Sequence, residues 1–373
     1  MVSLSIMAWN WELSDWPDFR FDAVRLADLE SLFLKQGGVL LGAFRHLTGD
    51  DSPSFAADLL TSEAMKTSAI EGKILDRHSV QSSIRRQLGL KTDARRSQPS
   101  EQGVAEVMVD LLESTVQPLT HETLWRWHEW LMRGRTDVED LGKYRTHPDP
   151  MQIVSGRIDR PVVHFEAPPS SRVPDEMERF IAWFNSVKLG GLARAGLAHI
   201  YFETIHPFED GNGRLGRAVS EKALGQALGQ ASMTLLATQI ERRRSEYYSQ
   251  LHAASRTLEM TEWLLWFGDV VLAAQRETDA WISFIIEKTR LLDRLATKIN
   301  PRQHQVLMRI TREGPGGFRG GLSSANYQTI TGASPATASR DLVELVDLGA
   351  LVRTGERKST RYWLTIGAKP LKL

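Results

Sequence analysis

Residues 206 to 217 read HPFEDGNGRLGR and bring one histidine, two acids, three glycines and two arginines into twelve positions. Within them DGNGR puts small residues where backbone N–H groups can converge. A helix starting there adds its own unpaired N–H groups and its dipole, which together make an anion site suited to phosphate. Arg214 and Arg217, three apart on that helix, share a face and reach further phosphate oxygens. Asp210 is a hard oxygen ligand of the kind that holds Mg²⁺ jointly with phosphates. His206 is the one group here whose ordinary pKa lets it accept a proton near neutrality. Each piece alone is ordinary, a DGNG being most often a turn. Together they suit phosphoryl-type transfer, with a base for the nucleophile and donors for the developing charge.

Helices must hold this stretch. LARAGLAHIYFETI leads directly into it, and RAVSEKALGQAL, RRRSEYYSQLHAAS and a helical tract to about residue 298 follow. Upstream, an aromatic entry around WNWELSDWPDF precedes a helix, a second helical stretch covers about residues 54–89, and THETLWRWHEWLM begins at a capping Thr120. One section breaks the rhythm. It is proline-rich between residues 148 and 174 and contains two β-prone runs, 152–155 and 161–165, which read as a hairpin flap. The last 75 or so residues read as three helices, the third opening with Ser334 as N-cap and Pro335 at the first helical position, then a hairpin turning at Gly355. That is the order of a winged helix-turn-helix.

A chain of 373 residues is longer than one compact core usually grows, so two or three domains are expected. Hydrophobic content of 42% with 25% charged residues fits a soluble protein, and no apolar run approaches the roughly 20 residues of a membrane helix. The N-terminus lacks a basic and then apolar leader, and the absence of cysteine excludes disulfides and thiolate metal sites; a cytoplasmic location is expected. The net charge of zero conceals an asymmetry. From residue 297 onward twelve Lys and Arg stand against five Asp and Glu, a net of +7, leaving −7 for the rest. Arg340, Arg353, Arg357, Lys358 and Arg361 fall on the third helix and the wing, where phosphate contacts to DNA would lie.

HPFEDGNGRLGR resembles the Fic signature HxFx(D/E)GNGRxxR throughout, and the preceding helix and the flap after GKYR are also similar to that family's. The N-terminal WNWELSDWPDFRFD, with the C-terminal winged helix, resembles a bacterial subgroup of multidomain Fic proteins. The resemblance implies a mainly α fold, with a Fic helical core, a β-hairpin flap and a winged helix-turn-helix. It divides the chain into residues 1–98, 99–296 and 297–373. It implies transfer of AMP from ATP to a Ser, Thr or Tyr hydroxyl of a target protein, with His206 as base, Asp210 as the Mg²⁺ ligand, Gly211, Asn212 and Gly213 as the anion nest, and Arg214 and Arg217 on the outer phosphates. It also implies nucleotide-pocket roles for Tyr247 and Tyr248, for which core packing is the alternative. Upstream, TSAIEGK resembles the family's inhibitory motif (S/T)xxxE(G/N), matched by Thr67, Glu71 and Gly72. A carboxylate delivered to Arg217 would occupy the arginine that should grip the γ-phosphate; the alternative is that Ser68 and Glu71 form a capping box. The flap could offer a strand edge to a target segment, and a homodimer is expected. Two other functions suit the same residues: a DNA-binding regulator whose Fic core senses nucleotide, and removal of AMP with Glu71 positioning water.

Overall fold

A computed structural model describes residues 8–45, 47, 51–92, 97–157, 160–232, 234–318 and 320–367. After a 3-10 turn, Asn10–Glu12, come α1 (Ala23–Arg45), α2 (Asp51–Ile70), α3 (Arg77–Gln87), α4 (Pro99–Glu113) and α5 (His121–Met132). The flap is β1 (Gln152–Arg157) and β2 (Arg160–Glu166). It is followed by α6 (Val173–Ser186), α7 (Gly191–Ile205), α8 (Asn212–Leu228), α9 (Leu236–Arg242), α10 (Arg244–Ala254) and α11 (Thr261–Leu295). The chain continues through α12 (Pro301–Thr311), α13 (Ser324–Thr331), α14 (Pro335–Asp347), β3 (Leu351–Thr354) and β4 (Arg361–Leu364). The fold is mainly α, as expected, and no described helix is long and apolar enough to cross a membrane.

The chain forms two compact units, the first of residues 1–41 and 49–276, the second of residues 42–48 and 277–373. In the first, α7 is apolar nearly all round and buried nearly all round: Leu192, Ala195, Ala198, Phe202 and Ile205 have no exposed surface. Such a helix sits at the centre of its unit instead of on its surface. Its closest partner is α8, and the loop between them is the HPFEDGN stretch, so the site lies where two core helices meet. Thr120 caps α5 by accepting from the Thr123 N–H, as its sequence position suggests.

The single helical stretch expected at 54–89 is two helices. The chain turns out of α2 at Gly72, φ 72°, where the Lys73 N–H returns to the Ser68 carbonyl, and restarts at Asp76, whose side chain caps α3. This also rules out a Ser68–Glu71 capping box, because those residues stand at the C-terminal end of α2 and not at a helix start. The flap strands pair antiparallel, each longer than its apolar run, with a bulge between Ile153 and Val154.

In the second unit Ser334 caps α14, with Pro335 first in the helix, and β3 pairs β4 across a turn that includes Gly355 at φ 70°. Leu322 bridges Tyr362 as a third strand position. Asp341 ties the helices together: its carboxylate accepts from Tyr327 Oη at 2.8 Å, Arg302 Nε at 3.0 Å and Asn300 Nδ2 at 3.1 Å. The exposed positions of α14 are Pro335, Ala336, Ser339, Arg340, Val343, Glu344 and Asp347.

Candidate active site

The loop from α7 to α8 is built for an unusual backbone path. His206 ends α7 in the left-handed region at φ 50°, and Gly211 opens α8 at φ 89°, a conformation cheap only for glycine. A non-glycine residue in that region is strained and persists only where surrounding contacts fix it. Three contacts do so. Phe208 is fully buried and stacks on His128 with ring centroids 4.2 Å apart. The Asn212 side chain staples the loop, accepting from the Phe208 N–H at 3.0 Å and donating to its carbonyl at 2.7 Å. Arg145, just upstream of the flap and 1% exposed, donates from Nε to the His206 carbonyl at 2.8 Å and from Nη2 to the Pro168 carbonyl at 2.6 Å, joining the loop to the flap's base.

His206 faces the cleft with its Nδ1 3.3 Å from the Glu203 carbonyl. A carbonyl can only accept, so Nδ1 carries the proton and Nε2 keeps its lone pair. Burial pushes the imidazole pKa from 6.5 down to about 4, with the nearby Arg145 cation acting in the same direction, so the ring is neutral at physiological pH. Asp210 accepts from Arg135 Nη1 at 2.8 Å and lies 4.0 Å from Lys73 Nζ. Burial opposes its charge, yet Arg135, Arg214 and Lys73 hold its pKa below the usual carboxylate range.

Glu71 closes the other side. Its carboxylate lies 2.8 Å from Arg217 Nη2, and a Cβ on Gly213 would collide with it, so the acid stands directly over the start of α8. Thr67, one turn earlier on α2 and buried, accepts from Arg217 Nε at 2.8 Å through its hydroxyl and from Nη2 at 2.9 Å through its carbonyl. Burial disfavours the Arg217 cation, but Glu71, Tyr247 and Glu203 together raise its pKa. Arg217 Nη1 stays buried without a partner among the described residues. His206, Asp210, Gly211, Asn212, Gly213 and Glu71 line one cleft, joined by Tyr247 and Tyr248. Tyr247 is 1% exposed and bonds His199 Nε2 at 2.8 Å through its hydroxyl, while Tyr248 is half-exposed and donates to the Ile70 carbonyl at the end of α2. Arg214 and Arg217 do not line this cleft; they border a smaller cavity next to it.

The family comparisons agree with this geometry. Residues 118–224 match the Fic/DOC family, and residues 9–90 match a domain of unknown function, DUF4172. Residues 118–224 are a Fic/DOC region. The Fic region is similar to protein adenylyltransferase fic-1 of Caenorhabditis elegans, 27% identical over 125 residues, which are 33% of this chain and 22% of that protein. The fic-1 protein of Caenorhabditis briggsae matches with the same figures, so the chain aligns with only about a fifth of the length of these curated relatives. The crystal structure of a Fic family protein from Desulfovibrio desulfuricans G20 superposes with a TM-score of 0.52, at 22% identity over 91% of this chain and 97% of that one, and shares the fold.

Three residues of the Fic site have no assignment from sequence alone: Arg145, Arg135 and Glu203. Glu203 lies on α7, one turn from His199, and its Oε1 is buried without a partner among the described residues. Burial and then the Glu71 charge push its pKa up to about 8, so it is mostly protonated at neutral pH. A GKYR string hints at Arg145, but nothing local announces the other two. In the second unit Arg340, Arg353 and Arg357 are exposed, Arg361 is half-buried with Nη1 on the Thr360 carbonyl, and the Lys358 side chain is outside the described residues.

Proposed function

We propose that this protein is a Mg²⁺-dependent protein adenylyltransferase held off by its own Glu71. The observation that carries the reading is the carboxylate of Glu71 on Arg217 and over Gly213, in a site otherwise furnished for a nucleotide triphosphate. The name of the fic-1 relatives supports AMP as the group transferred. In the active form Glu71 withdraws, Thr67 keeps Arg217 oriented, and Nη1 and Nη2 receive the γ-phosphate. The N–H groups opening α8 take the phosphates nearer the reacting bond. A target hydroxyl then attacks the α-phosphorus: an oxygen–phosphorus bond to the target forms, the bond to pyrophosphate breaks, and the hydroxyl proton passes to His206 Nε2.

Asp210 suits the metal. One partly exposed carboxylate beside a phosphate cradle matches the way Mg²⁺ is usually held, by one or two carboxylates with substrate oxygens and water. When bound, the ion would neutralise phosphate charge; Arg135 and Lys73 would have to yield part of their hold on Asp210. Tyr247 belongs to the wall of the cleft and Tyr248 to its mouth. The first test is the origin of the label: ATP marked at the α-phosphate should label protein, and ATP marked only at the γ-phosphate should not. Labelling from the γ-position would replace this reading with phosphate transfer.

The His206 pKa gives a pH prediction. The base works only when neutral, and it becomes protonated as pH falls through the folded value of about 4. The acid limb of kcat/KM for Glu71→Gly should therefore lie well below 6. A limb between 6 and 7 would contradict a buried, neutral His206 in the free enzyme.

A second reading rests on Arg340, Arg353 and Arg357, which are exposed and carry no ion pair among the described residues. They support duplex DNA on α14 and the β3–β4 wing, as in a winged helix-turn-helix. Arg340→Ala/Arg357→Ala should weaken duplex binding and reduce its logarithmic salt slope by about 2. No retention of duplex by the unaltered protein at low salt would remove this reading.

A further inference from the structure

The N-terminal aromatic segment, whose matched domain has no known function, makes an unusual set of contacts with the Fic site. Asn10 is fully buried, and each of its polar groups is used. Its N–H donates to the Ser255 carbonyl at 2.8 Å, its Nδ2 reaches Thr204 Oγ1 at 3.1 Å and the Ala254 carbonyl at 3.2 Å, and its Oδ1 accepts from the Trp11 N–H at 2.9 Å. Thr204 lies two residues before His206, and Ser255 follows α10, so Asn10 fixes the turn to two walls of the cleft. From that anchor the two neighbouring indoles reach the flap. Trp11 Nε1 donates to the Glu166 carbonyl at the end of β2 at 2.7 Å. Trp9 meets the Phe165 ring edge-on at 5.2 Å and 77°, and the Arg256 guanidinium lies over the Trp9 ring. His252 Nδ1 donates to the His164 carbonyl at 3.2 Å.

We infer that Trp9, Asn10 and Trp11 form a strap that positions the flap, and hence the target hydroxyl, over His206. A two-stranded hairpin is marginal in water by itself, so its place must be set by what grips it. Among the described residues the grip falls on three consecutive residues of β2, of which His164 and Phe165 line the cleft and Glu166 completes the strand. Two of those three residues have their carbonyls held by donors from outside the hairpin, Trp11 and His252, so this part of β2 is closed to an added target strand. Trp9, Asn10 and Trp11 are positioning residues: they touch neither phosphate loop nor base.

This inference rests on the reading that the flap presents the target, but its primary test does not. Hydrogen exchange would be measured on the full chain for the unaltered protein, Trp11→Phe and Trp9→Ala. Trp11→Phe keeps an aromatic ring and removes the Nε1 donor. Loss of one such bond should raise amide exchange in segments 152–157 and 160–166 about five- to tenfold, while α7 and α8 keep theirs. In a Glu71→Gly background the same changes should reduce labelling of lysate proteins from α-labelled ATP several-fold and leave affinity for a fluorescent ATP analogue within about twofold, because the nucleotide contacts are untouched. Unchanged flap exchange in both variants overturns the strap. So does exchange rising equally in α7 and α8, which would make the segment a general stabiliser. If Glu71→Gly labels nothing at all, the transfer reading fails while the exchange result still decides the strap.

Discussion

Glu71→Gly should raise AMP transfer by about 10- to 100-fold, the range given by removing one charge-assisted contact of roughly 1.5–3 kcal/mol from the closed form. The effect is expected to be this large because the acid blocks two features at once. It neutralises Arg217 Nη2 at 2.8 Å, and it occupies the space above Gly213 where a phosphate must approach the first turn of α8. The substitution leaves Arg217 in place, since Thr67 holds Nε and Nη2 independently of Glu71. Steady-state labelling with α-labelled ATP gives the readout, and nucleotide affinity should change far less than the rate if ATP already binds the closed form in an unproductive pose. Equal rates for both proteins would show that the Glu71–Arg217 pair does not limit the reaction.

His206→Ala in the Glu71→Gly background should reduce transfer by about 10²- to 10⁴-fold, the usual weight of a positioned general base. The backbone needs a control, because His206 sits at φ 50° and alanine tolerates that region poorly. His206→Asn supplies it. Asparagine accepts the left-handed conformation at a helix end but offers no basic nitrogen. Both variants should lose transfer, and the Asn variant should melt close to the parent. Transfer retained in His206→Asn would remove the ring as the base.

The positions of the glycines, the arginines and His206 around one helix start are legible in the sequence because twelve consecutive residues contain them, and the roles proposed for them follow from that local chemistry. Capping was equally local, with Thr120 and Ser334 where their helices begin. The break at Gly72 was not, since apolar periodicity runs past it and only the left-handed turn and the Asp76 cap reveal two helices. Arg135 was also hidden, and of Arg145 the sequence showed only the GKYR string and not its partner. Arg145 reaches His206, 61 positions away, and Arg135 reaches Asp210, 75 positions away; a pairing made only by tertiary packing leaves no pattern in either segment. Glu203 stands for a third kind. Its helix reads as a plain core helix, and only its surroundings, with Glu71 close by and no partner for Oε1 among the described residues, make its carboxyl unusual. Trp9 and Trp11 were visible as an aromatic cluster, but their contacts with β2 follow from the fold alone.

The most direct measurement incubates the unaltered protein, Glu71→Gly and Glu71→Gly/His206→Ala with Mg²⁺ and ATP labelled at the α-phosphate, followed by denaturing gels of each protein alone and in lysate. Covalent label that is strong in Glu71→Gly, weak in the unaltered protein and absent from the double variant is the predicted result. No covalent label in Glu71→Gly, with ATP still bound to the protein, would contradict adenylyl transfer and leave nucleotide sensing or removal of AMP as the function of this site.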